Sequence, residues 1–195
     1  MKTNTCLDNP KVPSFISNFF NPIFSLIFYF VLYSAYNSSL KEASVRFAGL
    51  LLLAIVPVTG WIIWNVKRGS YTNMDVSDQR QRRSLYPIIA AALLLYLFVT
   101  YFQTQNVDTP VVGLLVLLLL LQASNYFVKS SMHTALNVYA SALMFEVKWY
   151  WGLIWLIITF LVAISRLILQ RHSVKEVLTG AGIATAISVL YLFLK

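Results

Sequence analysis

The feature that most constrains the fold is a series of apolar stretches that runs along almost the whole chain. Of its 195 residues, 58% are hydrophobic and only 11% are charged, whereas a soluble domain carries about 25% charged residues. This composition excludes an ordinary soluble domain and predicts an all-α integral membrane protein, a polytopic helical bundle with six or seven transmembrane helices. The predicted helices, in order, are Pro22–Tyr36, Ala43–Val66, Leu85–Phe102, Val111–Phe127, His133–Phe145, Trp149–Ile164 and Glu176–Leu194.

Basic residues exceed acidic ones and give the chain a net charge of +8. Such an excess can indicate nucleic-acid binding, but here the charges cluster at the ends of the apolar stretches. In membrane proteins, Lys and Arg at those positions set the topology or meet lipid phosphates. We therefore expect membrane lipids as partners and no nucleic acid.

Three polar patches interrupt the apolar stretches, at Lys67–Ser84, Lys129–His133 and Arg166–Glu176. If all seven stretches cross the membrane, the three patches lie on one membrane face together with the N-terminus. This convergence depends on the short stretch His133–Phe145 being a true crossing. The distribution of Lys and Arg favours the cytoplasmic face, but a phosphate site needs cations on whichever side it faces, so both sides stay open.

The third patch contains one of the two histidines of the chain, His172, with Arg166 before it and Glu176 after it. A neutral imidazole can attack phosphorus and form a phospho-histidine intermediate. Glu176 lies about one helical turn further on, so its carboxylate can face the ring, fix its tautomer and stabilise its cation. Arg166 offers a planar fork of donors that suits phosphate oxygens. The pattern indicates phosphate chemistry with His172 as the nucleophile.

The other two patches can supply the remaining groups of such a site. The second histidine, His133, is a candidate general acid for the leaving group, and then the base that activates water. Ser131 and nearby backbone amides can donate to phosphate oxygens, and Lys129 is a further candidate cation. Two histidines without a cysteine cluster make a poor zinc site, so we expect no metal and no other cofactor. The remaining candidate phosphate ligands are Arg80, Arg82 and Arg83.

Each of these residues also has a simpler interpretation. His172 with Glu176 can cap the N-terminus of a membrane helix, where a carboxylate favours the helix dipole. Arg166 can be a snorkelling residue that only fixes topology, and the arginines of the first patch can form a positive loop that contacts lipid headgroups. The combination of an arginine, a histidine and a carboxylate at these spacings favours the catalytic interpretation.

The segment Ser165–Gly180 resembles the third signature of the type-2 phosphatidic acid phosphatase superfamily, which also includes bacterial acid phosphatases and vanadium haloperoxidases. That signature is Ser-Arg, five residues, His, three residues and Asp. The chain agrees with this spacing at every position, with Glu176 in the place of Asp. Val177 and Gly180, which follow, also fit the pattern.

The other two signatures of the superfamily are more divergent here. The second, Pro-Ser-Gly-His, corresponds to Ser130–His133, which keeps the Ser and the His but has neither the Pro nor the Gly. The first, Lys, six residues and Arg-Pro, corresponds to Asp75–Ser84, which has no lysine at the matching position. Arg80 or Lys129 is left to supply the missing charge.

The resemblance implies a single membrane domain with an N-terminal helix pair, residues 1–66, and a phosphatase-like core, residues 67–195, with the site at one membrane surface. It implies hydrolysis of a lipid phosphomonoester or diphosphate, of the phosphatidic acid, phosphatidylglycerol phosphate or polyprenyl diphosphate type, in the inner membrane of a bacterium. Two alternatives stay open: a lipid phosphotransferase with an alcohol acceptor, and a non-catalytic lipid-binding protein with a degenerate site. The particular lipid and the oligomeric state also stay open.

Overall fold

The structure is a computed structural model that describes residues 11–76 and 78–195, and these residues contain helices but no β-strand. The predicted all-α fold is therefore confirmed. Ser77, which belongs to the first polar patch, lies outside the described residues. The helices in the described part of the chain are α1 (Lys11–Phe19), α2 (Pro22–Asn37), α3 (Leu40–Lys67), α4 (Gln79–Thr104), α5 (Thr109–Ser124), α6 (Met132–Val147), α7 (Trp149–Ile168) and α8 (Val174–Phe193).

Helix α4 begins earlier than its apolar stretch predicts. The sequence places its start at Leu85, whereas the structure has it at Gln79. The reason is the cap at Asp78, whose side chain accepts hydrogen bonds from the amides of Arg80 at 2.8 Å and Gln81 at 3.1 Å. Arg80, Arg82 and Arg83 therefore lie on the first turns of a helix and not in a loop.

Two other helical segments lie outside the predicted ones. Helix α3 begins at Leu40, before the predicted start at Ala43, because Ser39 and Glu42 form a capping box with hydrogen bonds of 3.0 and 3.3 Å. The sequence predicts no helix before Pro22, whereas the structure has α1 there. Both differences extend the helical structure into segments that are too polar or too short to stand out as apolar stretches.

Four helices, α3, α4, α7 and α8, are long and apolar enough to cross a membrane. Helices α1 and α2 meet at a bend of 48° and add a fifth crossing if the bent pair is one span. Helices α5 and α6 have 16 residues each, so each is about 24 Å long, shorter than the roughly 30 Å hydrocarbon core of a bilayer. By length and composition the described helices support four or five crossings, where the sequence predicts six or seven.

The chain forms two compact units. The first unit comprises the described residues up to Tyr36 together with Ser130–Lys195, so it contains α1, α2, α6, α7 and α8. The second unit, Asn37–Lys129, contains α3, α4 and α5. The first two helices thus belong to the same unit as the last three. The division into residues 1–66 and 67–195 stays a prediction.

Helix α6 is the central element of the first unit, with ten of its 16 residues buried. It packs against both α7 and α8, while α1 packs against α7. Only Lys148 separates α6 from α7, so the two helices are antiparallel. Helices α6 and α8 are parallel, because Ser131 contacts Glu176 where both begin and Glu146 binds Lys195 where both end. The beginnings of α6 and α8 and the end of α7 therefore lie at one end of the unit.

Asn137 is the fully buried polar centre of the first unit. Its Oδ1 accepts hydrogen bonds from Ser25 Oγ at 2.7 Å and from Trp155 Nε1 at 3.2 Å. Its Nδ2 donates to the carbonyl oxygens of Phe20 at 3.2 Å and His133 at 2.8 Å. This side chain joins α2, α6, α7 and the break between α1 and α2, with two acceptor and two donor positions of its amide used.

In the second unit the loop between α3 and α4 folds back onto these two helices. Tyr71 and Val76 of the loop form a buried apolar cluster with Leu85 of α4, and partly buried side chains of α3 and α4 surround it. The start of α4 is tied to the end of α5 by Gln79 and Asn125, each of which donates from its side-chain amide to the backbone carbonyl of the other, at 2.6 and 3.1 Å. The described residues of the first polar patch are thus an ordered part of this unit.

Candidate functional site

The imidazole of His172 is buried just before α8 and lies against Glu176. The distance from His172 Nδ1 to Glu176 Oε2 is 2.8 Å, and the histidine side chain has no exposed surface. A carboxylate at Nδ1 favours the tautomer with the proton on that nitrogen. In this tautomer Nε2 carries the lone pair, so Nε2 is the atom that can act as a nucleophile. The contact expected from the four-residue spacing is therefore present in the structure.

Glu176 also caps α8. Its carboxylate accepts a hydrogen bond from the amide of Ser173 at 3.2 Å, and Ser173 Oγ accepts from the amide of Glu176 at 3.4 Å. This reciprocal pair is a capping box. One carboxylate oxygen, Glu176 Oε2, thus contacts both His172 Nδ1 and the amide of Ser173, so it takes part in the helix cap and is also the partner of His172.

The turn between α7 and α8 determines the position of His172. Gln170 has a positive φ of 52° and ends α7 with a left-handed residue. The chain then turns back, and the carbonyl oxygen of Arg166 accepts hydrogen bonds from the amides of Arg171 at 3.0 Å and His172 at 3.4 Å. The backbone of the predicted phosphate-binding arginine therefore holds the backbone of the predicted nucleophile.

Ser131 brings the second patch against the third. It is the N-cap of α6, where its Oγ accepts from the amide and the hydroxyl of Thr134 at 3.5 and 3.1 Å. Its own amide donates to the carbonyl oxygen of Glu176 at 3.0 Å. This close contact between the beginning of α6 and helix α8 needs a glycine at position 180, because a Cβ there would lie 2.7 Å from the carbonyl oxygen of Ser131. The amide of Ser131 is thus used inside the protein and is not a donor for phosphate.

His133 is the second residue of α6 and is half-buried. Its carbonyl oxygen accepts the hydrogen bond from Asn137, which fixes the backbone of this turn. Because Ser131 contacts Glu176, His133 lies at the same end of the first unit as His172. The amide of Met132, at the first position of α6, has no acceptor within its helix, as is general for that position.

Arg166 lies near the end of α7 and is only 2% exposed. Its Nη1 donates a hydrogen bond of 3.1 Å to the hydroxyl of Ser17 on α1, which is also buried. Sequence reasoning missed Ser17, because nothing near it marks a serine in a short amphipathic segment. It also missed Asn137, although an asparagine inside an apolar stretch, four residues after His133, is an available signal.

The remaining predicted cations belong to the second unit, whereas both histidines belong to the first. Arg82 is 2% exposed, and its Nε donates to a backbone carbonyl of the preceding loop at 2.9 Å. Arg80 and Arg83 are exposed, and the guanidinium of Arg83 lies 5.0 Å from the ring centre of Tyr126. Lys129 is half-buried at the end of this unit. Among these, Arg82 is held as a structural residue of its own loop.

One end of the first unit therefore combines a carboxylate-bound histidine, a buried arginine and a second histidine. The N-termini of α6 and α8 lie at the same end, and the amides of helix N-termini attract anions. These are the groups that a phosphate site requires: a nucleophile, a proton donor and positive partial and full charges. The described groups can support attack on phosphorus and protonation of a leaving oxygen.

Comparisons with models of protein families, with curated proteins and with solved structures found no match to this chain. The resemblance to the phosphatidic acid phosphatase superfamily rests on the spacing within Ser165–Gly180 and on the pair Ser131 and His133. The contacts between the beginnings of α6 and α8 are independent of that resemblance.

Proposed function

We propose that this chain is an integral membrane lipid phosphatase that hydrolyses a phosphomonoester or diphosphate of a lipid, of the phosphatidic acid, phosphatidylglycerol phosphate or polyprenyl diphosphate type. The observation that supports it most is the buried His172–Glu176 pair, which lies in direct backbone contact with the turn that carries His133. In this proposal the chain crosses the inner membrane of a bacterium with six or seven helices, α5 and α6 included.

The first chemical step is attack by His172 Nε2 on phosphorus. A nitrogen–phosphorus bond forms, the bond from phosphorus to the lipid oxygen breaks, and His133 gives its proton to that leaving oxygen. Glu176 holds the proton on Nδ1 and stabilises the positive charge that develops on the ring. In the second step His133 takes a proton from water, the oxygen of that water bonds to phosphorus, and inorganic phosphate leaves His172.

Positive groups hold the phosphoryl oxygens through both steps. Arg166 supplies a guanidinium fork, and the amide of Met132 supplies a donor at the N-terminus of α6. The phosphate-binding role of Arg80, Arg82, Arg83 and Lys129, which belong to the second unit, stays a prediction from the sequence. The amide of Ser131 is left out because it donates to Glu176.

The proposal is tested by phosphate release from purified protein in detergent micelles, over a panel of phosphatidic acid, phosphatidylglycerol phosphate and polyprenyl diphosphate. We expect one lipid to be hydrolysed, and we expect His172→Ala to remove the activity, because no other group replaces the nucleophile. A second variant, His172→Gln, keeps a polar side chain and separates lost chemistry from lost folding. Phosphate release by a folded His172→Ala protein would contradict the mechanism.

The non-catalytic alternative has one observation in its favour. Glu176 completes the capping box of α8 with Ser173, so its presence is explained without catalysis. This alternative expects binding of inorganic orthovanadate, a phosphate analogue, but no phosphate release from any lipid of the panel. Calorimetric titration with orthovanadate, next to the release assay, distinguishes the two functions.

A further inference from the structure

Helix α1 has two distinct faces. Val12, Phe15 and Phe19 are 46%, 65% and 45% exposed, and they lie on one side of the helix. Pro13 and Ser17, on the other side, are buried. The helix packs against α7, and a short amphipathic helix of this kind suits a membrane surface, with its apolar side in lipid. The buried side therefore faces protein, and Ser17 is its polar group.

The polar group on the buried side binds the site arginine. Arg166 Nη1 donates to Ser17 Oγ at 3.1 Å, and the two residues are 2% and 1% exposed. A hydroxyl oxygen that accepts from a guanidinium N–H fixes the direction of the planar group. A hydrogen bond to a charged group is also among the stronger ones in a protein. The contact with Ser17 therefore orients the guanidinium of Arg166.

The break between α1 and α2 keeps Ser17 in this position. The break exposes the carbonyl oxygen of Phe20, and Asn137 Nδ2 donates to it at 3.2 Å. At the beginning of α2, the side chain of Asn21 satisfies a backbone amide, since its Oδ1 accepts a hydrogen bond from the amide of Phe24 at 2.9 Å. Broken helices at membrane depth persist only where protein groups satisfy the freed backbone. The bend of 48° is thus a stabilised feature that directs α1 toward the end of α7.

From these contacts we infer that Ser17 is a positioning residue of the phosphate site and that α1 is part of that site. This inference rests on the proposed phosphate chemistry of Arg166. Ser17 does not touch the substrate in this arrangement. It acts through Arg166, whose guanidinium it holds in the direction needed for the phosphoryl oxygens.

The test compares Ser17→Ala with Ser17→Thr and with the control Ser14→Ala on the same helix. Ser14 is half-buried, and its hydroxyl accepts a hydrogen bond of 3.5 Å from the Asn18 side-chain amide within α1. We expect Ser17→Ala to weaken orthovanadate binding about tenfold, which corresponds to about 1.4 kcal/mol. It should raise the KM of the lipid found in the release screen by a similar factor. Ser17→Thr keeps the hydroxyl and should stay within about threefold of wild type, as should Ser14→Ala.

A lower melting temperature alone would also fit a structural serine, so orthovanadate affinity is measured where all variants are folded. A double-mutant cycle gives the deciding result. Ser17 acts through Arg166, so Ser17→Ala should change affinity less than about twofold in the Arg166→Ala protein. The same cycle in Arg166→Lys covers the case in which Arg166→Ala does not fold. Wild-type affinity in Ser17→Ala, or an equal loss with and without Arg166, would overturn the inference.

The experiment also distinguishes this inference from the proposed function. If wild type binds orthovanadate but releases phosphate from no lipid, hydrolysis is wrong and the cycle still tests Ser17. If wild type hydrolyses a lipid and Ser17→Ala is unchanged in KM and affinity, the function stands and the role of Ser17 is wrong. If wild type neither binds orthovanadate nor releases phosphate, both are wrong.

Discussion

The contact between Gly180 and Ser131 gives the sharpest prediction from the packing. An alanine at position 180 would bring its Cβ to 2.7 Å from the carbonyl oxygen of Ser131 and to 3.1 Å from its amide nitrogen. Ordinary van der Waals contacts begin at 3.4 Å, and the atoms in the way are backbone atoms that cannot rotate aside. The beginnings of α6 and α8 must therefore move apart, which breaks the hydrogen bond from Ser131 to Glu176.

The magnitude follows from two opposing effects. Overpacking a well-packed contact costs typically about 1–3 kcal/mol, and replacing glycine by alanine inside a helix returns up to about 1 kcal/mol. We expect Gly180→Ala to be less stable by about 1–2 kcal/mol, which lowers the melting temperature by about 2–8 °C in a chain of this size. The control is Gly182→Ala on the same helix, since a Cβ there meets nothing within 4 Å.

Two measurements check this prediction. Thermal unfolding in one detergent should separate the two variants, with Gly182→Ala at or above the wild-type temperature. Hydrogen exchange should show a faster amide at Ser131 in Gly180→Ala and an unchanged one in Gly182→Ala, because only the first variant disturbs its acceptor. Equal melting temperatures and equal exchange in the two proteins would refute the reasoning. If the lipid phosphatase proposal holds, Gly180→Ala should also lose phosphate release more than its stability explains.

Three further predictions concern other polar groups of the two units. Asn137→Ala should lower stability by about 3 kcal/mol or more, since it leaves buried donors and acceptors unpaired, and a melting temperature within about 2 °C of wild type would contradict this. Glu176→Gln keeps the helix cap but removes the negative charge beside His172. Lipid phosphate release should therefore fall at least about a hundredfold, with little change in melting temperature. Unchanged release would exclude an orienting role for this carboxylate. Arg82→Ala should destabilise the protein by about 1–3 kcal/mol, because the side chain is buried and donates to a backbone carbonyl. Arg83 is exposed, so Arg83→Ala should change stability by less than about 0.5 kcal/mol. Equal changes in melting temperature for the two variants would contradict this contrast.

The sequence predicts the helical fold well because apolar stretches of this length have few other solutions in a membrane. The helix predicted from Val111 begins slightly earlier, at Thr109, for a local reason. Asp108 and Pro110 are residues that favour helix starts, and the structure has Asp108 as the cap, with its side chain accepting from the amide of Val111 at 3.3 Å. The predicted start of α4 at Leu85 is wrong because an apolar stretch marks only the apolar part of a helix along the chain. Its polar first turns belong to the same helix but carry no apolar signal.

The contacts between helices that are far apart in the chain could not be predicted from the sequence. Ser17 and Arg166 are 149 positions apart, and Ser25 and Asn137 are 112 apart. No local spacing signals such contacts, which depend on how the first two helices pack with the last three. The four-residue spacing of His172 and Glu176 is different, since it lies within one turn and follows from helix geometry alone. The candidate site was thus predictable where it is local, and α1 was missed because its role is entirely long-range.

The burial of His172 bears on the two interpretations of Glu176, the helix cap and the partner of a nucleophile. A capping box needs only Ser173 and Glu176, and a capped helix gains nothing from a histidine placed beside the cap. Removing an imidazole from water costs free energy unless its nitrogens find partners, yet the His172 side chain has no exposed surface. In the proposed mechanism the same buried ring, held against the Glu176 carboxylate, is the nucleophile that attacks phosphorus. Glu176→Gln therefore tests whether this carboxylate does more than cap α8.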